Sequence, residues 1–303
     1  MKQRALAALC MLLLPFAARA QLAVRAAGGW AEWWTPDAPP AQWRDHAPLA
    51  RRVVWRRAGD GVEWGELLLR GSGEAWRTRL IVARLDPAQL RLSLDTAFDA
   101  GHAAWRIDSA PSDALFAINA GQFVQTLPWG WVVLDGRTYL MPGRGPLVST
   151  VSVDSLGAVR WRHGLPPDSA ASRHLRWAFQ SYPTLLDGGA VPAAVRGVAG
   201  VPIDLEHRDA RLALGGLVDG RLIVVLTRFD ALGTRLGAVP FGLTIPETAA
   251  VMGALGARDA VLLDGGISAQ MMVRDNGTVH RWPGLRPVPL ALIARRLPPS
   301  MPR

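Results

Sequence analysis

The chain has 303 residues, a formal net charge of +9 and a single cysteine, Cys10. Its only lysine is Lys2. Beyond the first twenty residues this excludes thiol nucleophiles, lysine Schiff bases and internal disulfides, so an exported form rests on its apolar core. A chain of this length buries roughly three quarters of its unfolded surface, enough for one large domain.

Residues 1–20 read as a secretory signal peptide. Lys2 and Arg4 form a basic start, Ala5 to Phe16 an apolar run, and Ala18-Arg19-Ala20 a small-x-small cleavage site. Cys10 follows Leu9 rather than a small residue, so the pattern favours cleavage over lipid attachment. The expectation is a mature chain that starts at Gln21, is periplasmic or secreted, and has no transmembrane anchor. Losing Lys2, Arg4 and Arg19 lowers the formal charge from +9 to +6. The arginines are scattered, with no basic run interleaved with aromatics, which argues against a nucleic-acid partner. They suit either a solvated surface or an anionic partner such as a sugar phosphate or an envelope polysaccharide.

Residues 21–60 hold Trp30, Trp33, Trp34, Trp43 and Trp55 among prolines and arginines, and read as an irregular lead-in that wraps a domain spanning 61–303. From Trp64 the pattern becomes strand-like. Gly65 to Leu69, Thr78 to Ala83 and the alternating Leu90-Arg91-Leu92-Ser93-Leu94 are candidate strands. Asp135-Gly136 and Asp219-Gly220 read as hairpin turns. The run 222–226 reads as a strand buried on both faces. One helix is well signalled, over 245–255. Thr244 is its N-cap, Pro246 fits its first turn, Glu247 completes a capping box, and Gly256 stops it. A second apolar run, 260–263, ends in Asp264-Gly265-Gly266, with Ser268 just beyond.

Elimination narrows the chemistry. There is no His-Glu-x-x-His zinc site, no P-loop and no Gly-x-Ser-x-Gly elbow, and the six histidines are dispersed. Carboxylates, Arg, Asn, Gln and Ser are left, a set that suits glycosidic or phosphodiester hydrolysis. Asp264 stands at a strand end beside glycines that allow a ligand close to the backbone. It reads equally as an Asp-Gly turn, as does Asp187-Gly188-Gly189. Glu247 has a capping role available, Asn119 a turn role, and Arg211 a surface role.

Taken together, six segments resemble the phosphodiester glycosidase family. In order they are Asn119-Ala-Gly121-Gln-Phe123, Gln180-Ser-Tyr-Pro183, Arg211-Leu-Ala-Leu-Gly215, Gly242-Leu-Thr-Ile-Pro-Glu247, Leu263-Asp264-Gly265-Gly266-Ile-Ser268 and Arg286-Pro-Val288. The resemblance covers about residues 65 to 296. It departs at Ile267, where the family has a third glycine, and at Leu290, where the family often has Asn. It implies a single α+β domain with a mixed or antiparallel sheet core and few helices. The implied reaction is hydrolysis of a sugar-1-phosphodiester at its glycosidic bond. Within that reaction Asp264 acts as base or stabilises charge at the anomeric carbon, Glu247 is its partner carboxylate, and Arg211 clamps the phosphate. The Gly265 and Gly266 amides would hold an anionic oxygen. Asn119, Gly121, Gln180, Ser268, Asp230 and Arg286 complete the substrate site. No cofactor is implied, no metal site is assigned, and a requirement for a divalent metal is left open. Two alternatives stand beside this reading. One is a metal-assisted phosphodiesterase cutting at phosphorus with Asp264 and Asp230 as ligands. The other is a non-catalytic polysaccharide-binding or export protein on the same fold.

Overall fold

Alternating apolar residues decide the architecture, because successive side chains of a strand point to opposite faces. The computed structural model describes residues 22–297, apart from 27, 36, 38–42, 44–46, 72, 101–102, 165–168, 199, 201–202 and 231–240. The leader at 1–20 lies outside the described residues.

A nine-stranded sheet is the centre. Its order runs Thr184–Leu186, Ala257–Leu262, Leu212–Leu217, Leu222–Phe229, Thr78–Leu85, Val62–Arg70, Leu22–Ala26 and Gly29–Trp34, with Arg56–Gly59 also paired to Val62–Arg70. Both faces are buried. Leu80, Val82, Ala213, Ile223, Val225, Ala260 and Leu262 face one cluster, which includes Trp33, Trp34, Trp43 and the helix Ile245–Ala254. Ile81, Ala83, Leu212, Leu214, Leu222, Val224, Leu226, Val261 and Leu263 face a second cluster, shared with two five-stranded sheets. The double burial explains why 222–226 carries an unbroken apolar run.

One five-stranded sheet has the order Arg137–Leu140, Val132–Leu134, Leu175–Ser181, Ser149–Asp154 and Val159–His163. The other has the order Thr278–Trp282, Met271–Asp275, Phe116–Asn119, Leu290–Arg296 and Leu90–Thr96. Leu290 pairs with Thr96 and is fully buried, so an apolar residue suits that position.

Two expectations need correction. Every pairing in the three large sheets is antiparallel, and the described residues hold only two α-helices, Ala47–Arg52 and Ile245–Ala254. The fold is therefore mostly β rather than α+β. The region 21–60 is also less irregular than its composition suggests. Leu22–Ala26 and Gly29–Trp34 form a hairpin that extends the central sheet. Trp33, Trp34 and Trp43 are core residues, and Trp55 lies under the Arg84 guanidinium at 3.8 Å.

The signalled helix forms as read. The Thr244 side chain accepts from the Glu247 N–H at 3.2 Å, and the Glu247 carboxylate accepts from the Thr244 N–H at 2.9 Å. At Asp135-Gly136 both residues have positive φ, 45° and 78°, which fits a tight hairpin turn. No helix among the described residues is long and apolar enough to cross a membrane.

The centre of the large sheet should be the most sensitive to truncation. Leu226→Ala removes a fully buried side chain from the shared cluster. The expected loss is about 2–5 kcal/mol in chemical denaturation, with an unchanged far-ultraviolet circular dichroism spectrum.

Candidate functional site

Three strand ends meet at one place. Phe116–Asn119 ends at Asn119, Ala257–Leu262 runs out into Asp264, and Leu212–Leu217 is preceded by Asp209 and Arg211. The join is made by backbone bonds. The Asp264 N–H donates to the Gly121 carbonyl at 2.8 Å, and the Gly266 N–H donates to the Ala210 carbonyl at 2.7 Å. Glycine is required at both positions of the turn. A Cβ on Gly265 would lie 2.6 Å from the Ala210 carbonyl oxygen. Gly266 has φ +56°, and a Cβ there would lie 3.0 Å from an Asp209 carboxylate oxygen. Ile267 is exposed, so its side chain projects away from this packing.

The turn brings two half-buried carboxylates together. Burial pushes the Asp264 carboxyl above its ordinary range; the Ser268 hydroxyl and the Arg286 charge pull it back, and Asp209 pushes it further up. Burial also raises Asp209, opposed by Arg211, by the Ala210 N–H at 2.8 Å and by His207. Arg286 is exposed, with its guanidinium 4.5 Å from the Phe123 ring centroid. It is the accessible cation of the group.

The remaining expected residues divide by what already holds them. Asn119 is buried, and both ends of its amide are used. Its Nδ2 donates to the Asp264 carbonyl at 2.9 Å, and its Oδ1 accepts from the Gln270 N–H at 3.0 Å. Gln180 is likewise buried. Its Oε1 accepts from the Trp131 and Gly143 N–H groups, both at 2.8 Å, and its Nε2 donates to Thr150. Gly121, at φ +67°, packs against the Gln180 carbonyl. These three shape the site from beneath. The Gly266 N–H is spent on Ala210 and is not free for an anion.

Arg211 donates its Nε to the Leu243 carbonyl at 2.8 Å and an Nη to the His207 carbonyl. Burial lowers its pKa, while Asp209 and Glu247 raise it. Two of its donors are thus committed to backbone, and its charge acts on Asp209. Glu247 is fully buried in the capping box and receives two bonds from Arg208, at 2.6 and 2.7 Å. Its carboxylate is fully occupied within the protein. Asp230 is paired with Arg79 at 2.9 Å and with Arg77 at 3.5 Å, and it is not among the charges that act on Asp264. The Asp264–Asp230 metal pair of the phosphodiesterase alternative therefore has no geometric support among the described residues.

Sequence reading missed Asp209, His207 and Arg228. Asp209 lies in the charged run 207–211, two residues before the Arg211 segment, and a carboxylate leading into a buried strand was the available signal. Arg228 sits inside the central sheet with burial pushing its pKa down to about 10. It donates to the carbonyls of Ala269, Trp282 and Pro283, the last two at 3.3 Å, and so joins the Asp264 loop to the Arg286 loop. Nothing in an apolar strand pattern announces that task.

The phosphodiester glycosidase (NAGPA) family model matches residues 112–295, which include every residue just described except Arg77 and Arg79. The chain belongs to that family. No curated protein matches it significantly. Among solved structures, it is similar to the zebrafish N-acetylglucosamine-1-phosphodiester alpha-N-acetylglucosaminidase catalytic domain, auto-inhibited by its pro-peptide. Identity there is 15%, the TM-score is 0.58, and the match covers 86% of this chain and 95% of that one. A hypothetical protein from Synechocystis is similar at 16% identity and TM-score 0.50, covering 93% of this chain and 69% of that one. At such identities these two likenesses speak for the fold.

Two predictions follow from the charges. In Glu247→Gln the replacement can still cap the helix, but Arg208, largely buried, loses its counter-charge. The variant should lose about 3 kcal/mol or more in denaturant titrations. Asp264→Asn should behave oppositely. A carboxyl whose pKa is raised by folding stabilises fully below its unfolded pKa and loses that contribution as pH rises through the folded pKa. The Asn variant should therefore melt higher than wild type at neutral pH. The difference should vanish near pH ~3, below the unfolded carboxyl pKa.

Proposed function

We propose that the chain is a hydrolase that cleaves the glycosidic bond of a sugar-1-phosphodiester, acting in the cell envelope or outside the cell. The observation that carries this reading is the Asp264–Asp209 pair. Two adjacent carboxylates are both raised by burial, and one is raised further by the other's charge. Neighbouring carboxylates with separated pKa values divide the roles of acid and base. Asp264, raised by burial and by the Asp209 charge, is assigned the acid that protonates the departing phosphate oxygen. Asp209, which Arg211 and His207 pull back toward its ordinary range, is assigned to the water or to the developing positive charge at the anomeric carbon. This reassigns the partner role from Glu247 to Asp209.

A phosphate monoester is already a good leaving group, so the site chiefly needs charge stabilisation and a positioned water. Arg286 supplies a planar, accessible fork for the phosphate oxygens. Its place over Phe123 fixes the guanidinium while leaving its edge to the ligand. Ser268, whose hydroxyl bonds Asp264, holds that carboxyl in place.

The experiment is turnover of sugar-1-phosphodiesters in oxygen-18 water. Label in the released sugar is expected; label in the phosphate would place cleavage at phosphorus and reject the reading. Asp264→Asn and Asp209→Asn should each cut kcat by at least ~10²-fold with the fold intact. Arg286→Ala should act mainly on KM for phosphodiesters and leave simple aryl glycosides, already poor substrates, unaffected. Full activity in both Asp variants would refute the pair.

A further inference from the structure

Away from the site just described, three segments converge on a second group of ligating side chains. His163 ends the edge strand Val159–His163, Asp259 lies in Ala257–Leu262, and Asp187 opens the turn after Thr184–Leu186. One ligand atom from each lies within 4.8 Å of the other two. Asp259 precedes Asp264 by five residues, which separates the two groups by up to ~16 Å of extended chain.

A hydrogen-bond chain fixes the histidine. The Thr184 hydroxyl donates to the Leu147 carbonyl at 2.9 Å, so its oxygen accepts from Ser149 at 2.7 Å. The Ser149 proton is then spent, and its oxygen accepts from His163 Nδ1–H at 2.7 Å. Each hydroxyl has one proton to give, and this order uses each of them once. With the chain running in this order, the neutral ring's Nε2 carries a lone pair. That lone pair faces Asp259 Oδ1 at 3.1 Å and Asp187 Oδ1 at 4.0 Å. Trp161 lies nearly parallel to the ring, with centroids 6.4 Å apart, and the Gly188 N–H holds Asp259 Oδ1 at 3.1 Å. In that tautomer a cation placed among the three ligand atoms would satisfy Nε2 and both carboxylate oxygens together. Two carboxylates and a neutral imidazole carry −2, which matches the charge of a divalent ion.

We propose that His163, Asp187 and Asp259 form a binding site for a borderline divalent transition metal of the Zn²⁺ class. One nitrogen and two carboxylate oxygens, with the nitrogen's ring oriented from behind by Ser149, suit such an ion. His163 and Asp259 supply the enclosed side of the site; Asp187, 63% exposed, supplies its open side and leaves room for water. The bound ion fastens the edge of one five-stranded sheet to the edge of the central sheet. It takes no part in the chemistry proposed at Asp264 and is tested independently of it.

The test is calorimetric titration of the tag-free, EDTA-treated chain with zinc chloride, read alongside thermal melting. One Zn²⁺ per chain is expected, with a melting temperature that rises with zinc concentration, since a ligand that binds only the folded state stabilises it. His163→Gln and Asp187→Asn should each weaken zinc binding at least ~10-fold and reduce the melting shift. Asp187→Asn keeps the test decisive if His163→Gln fails to fold, because the Asp187 side chain is largely outside the packing. Absence of stoichiometric binding at neutral pH would leave His163 Nε2 as an ordinary donor to Asp259 and overturn the proposal. So would equal affinity in wild type and Asp187→Asn.

Discussion

The candidate site depends on one buried amide. Asn119 donates to the Asp264 carbonyl and accepts from the Gln270 N–H, so it grips the same loop at two points six residues apart. The Gly121 carbonyl adds a third bond, to the Asp264 N–H. Because Asn119 belongs to a five-stranded sheet and Asp264 emerges from the central one, this contact joins the two sheets. A side chain with both a donor and an acceptor is needed; Asp would repel the Asp264 carbonyl, and Leu would leave two backbone groups unpaired.

On that frame the protein spends its charges in two ways. Arg208 with Glu247, and Arg228 with its four carbonyls, are buried cations whose bonds are satisfied inside the molecule. They fix the start of the helix and the two loops that flank Asp264. Asp264 and Asp209 are held instead where their ionised forms are disfavoured. Burial costs such groups folding stability at neutral pH, and shifted carboxylates of this kind cluster at functional sites. Arg286 is exposed, with its guanidinium over the Phe123 ring.

Much of the framework was legible along the chain. Strand-like composition marked 65–69 and 78–83, period-two alternation marked 90–94, and the unbroken run at 222–226 announced burial on both faces. Thr244, Pro246 and Glu247 marked the helix start, because a capping box is a local device whose bonds close within four residues. The segments around Asn119, Arg211, Asp264 and Arg286 could be associated with one family by order and spacing. Composition misled at 22–34, where Trp and Arg hid a hairpin whose partner strand, Val62–Arg70, lies far along the chain.

Sequence by itself determined the strand and helix types, the Asp-Gly turns and the absence of cysteine and lysine beyond residue 20, since each follows from a residue's own geometry or functional group. The division of labour among polar residues was decided only in three dimensions. Glu247 meets Arg208 across 39 residues, and Asn119 meets Asp264 across 145. Asp209 becomes the neighbour of Asp264 only because two strand ends are bonded through Ala210 and Gly266. His163 finds Asp259 across 96 residues. A carboxylate's pKa and a side chain's free donors depend on what surrounds it, and for these residues the surroundings come from distant parts of the chain brought together by sheet pairing.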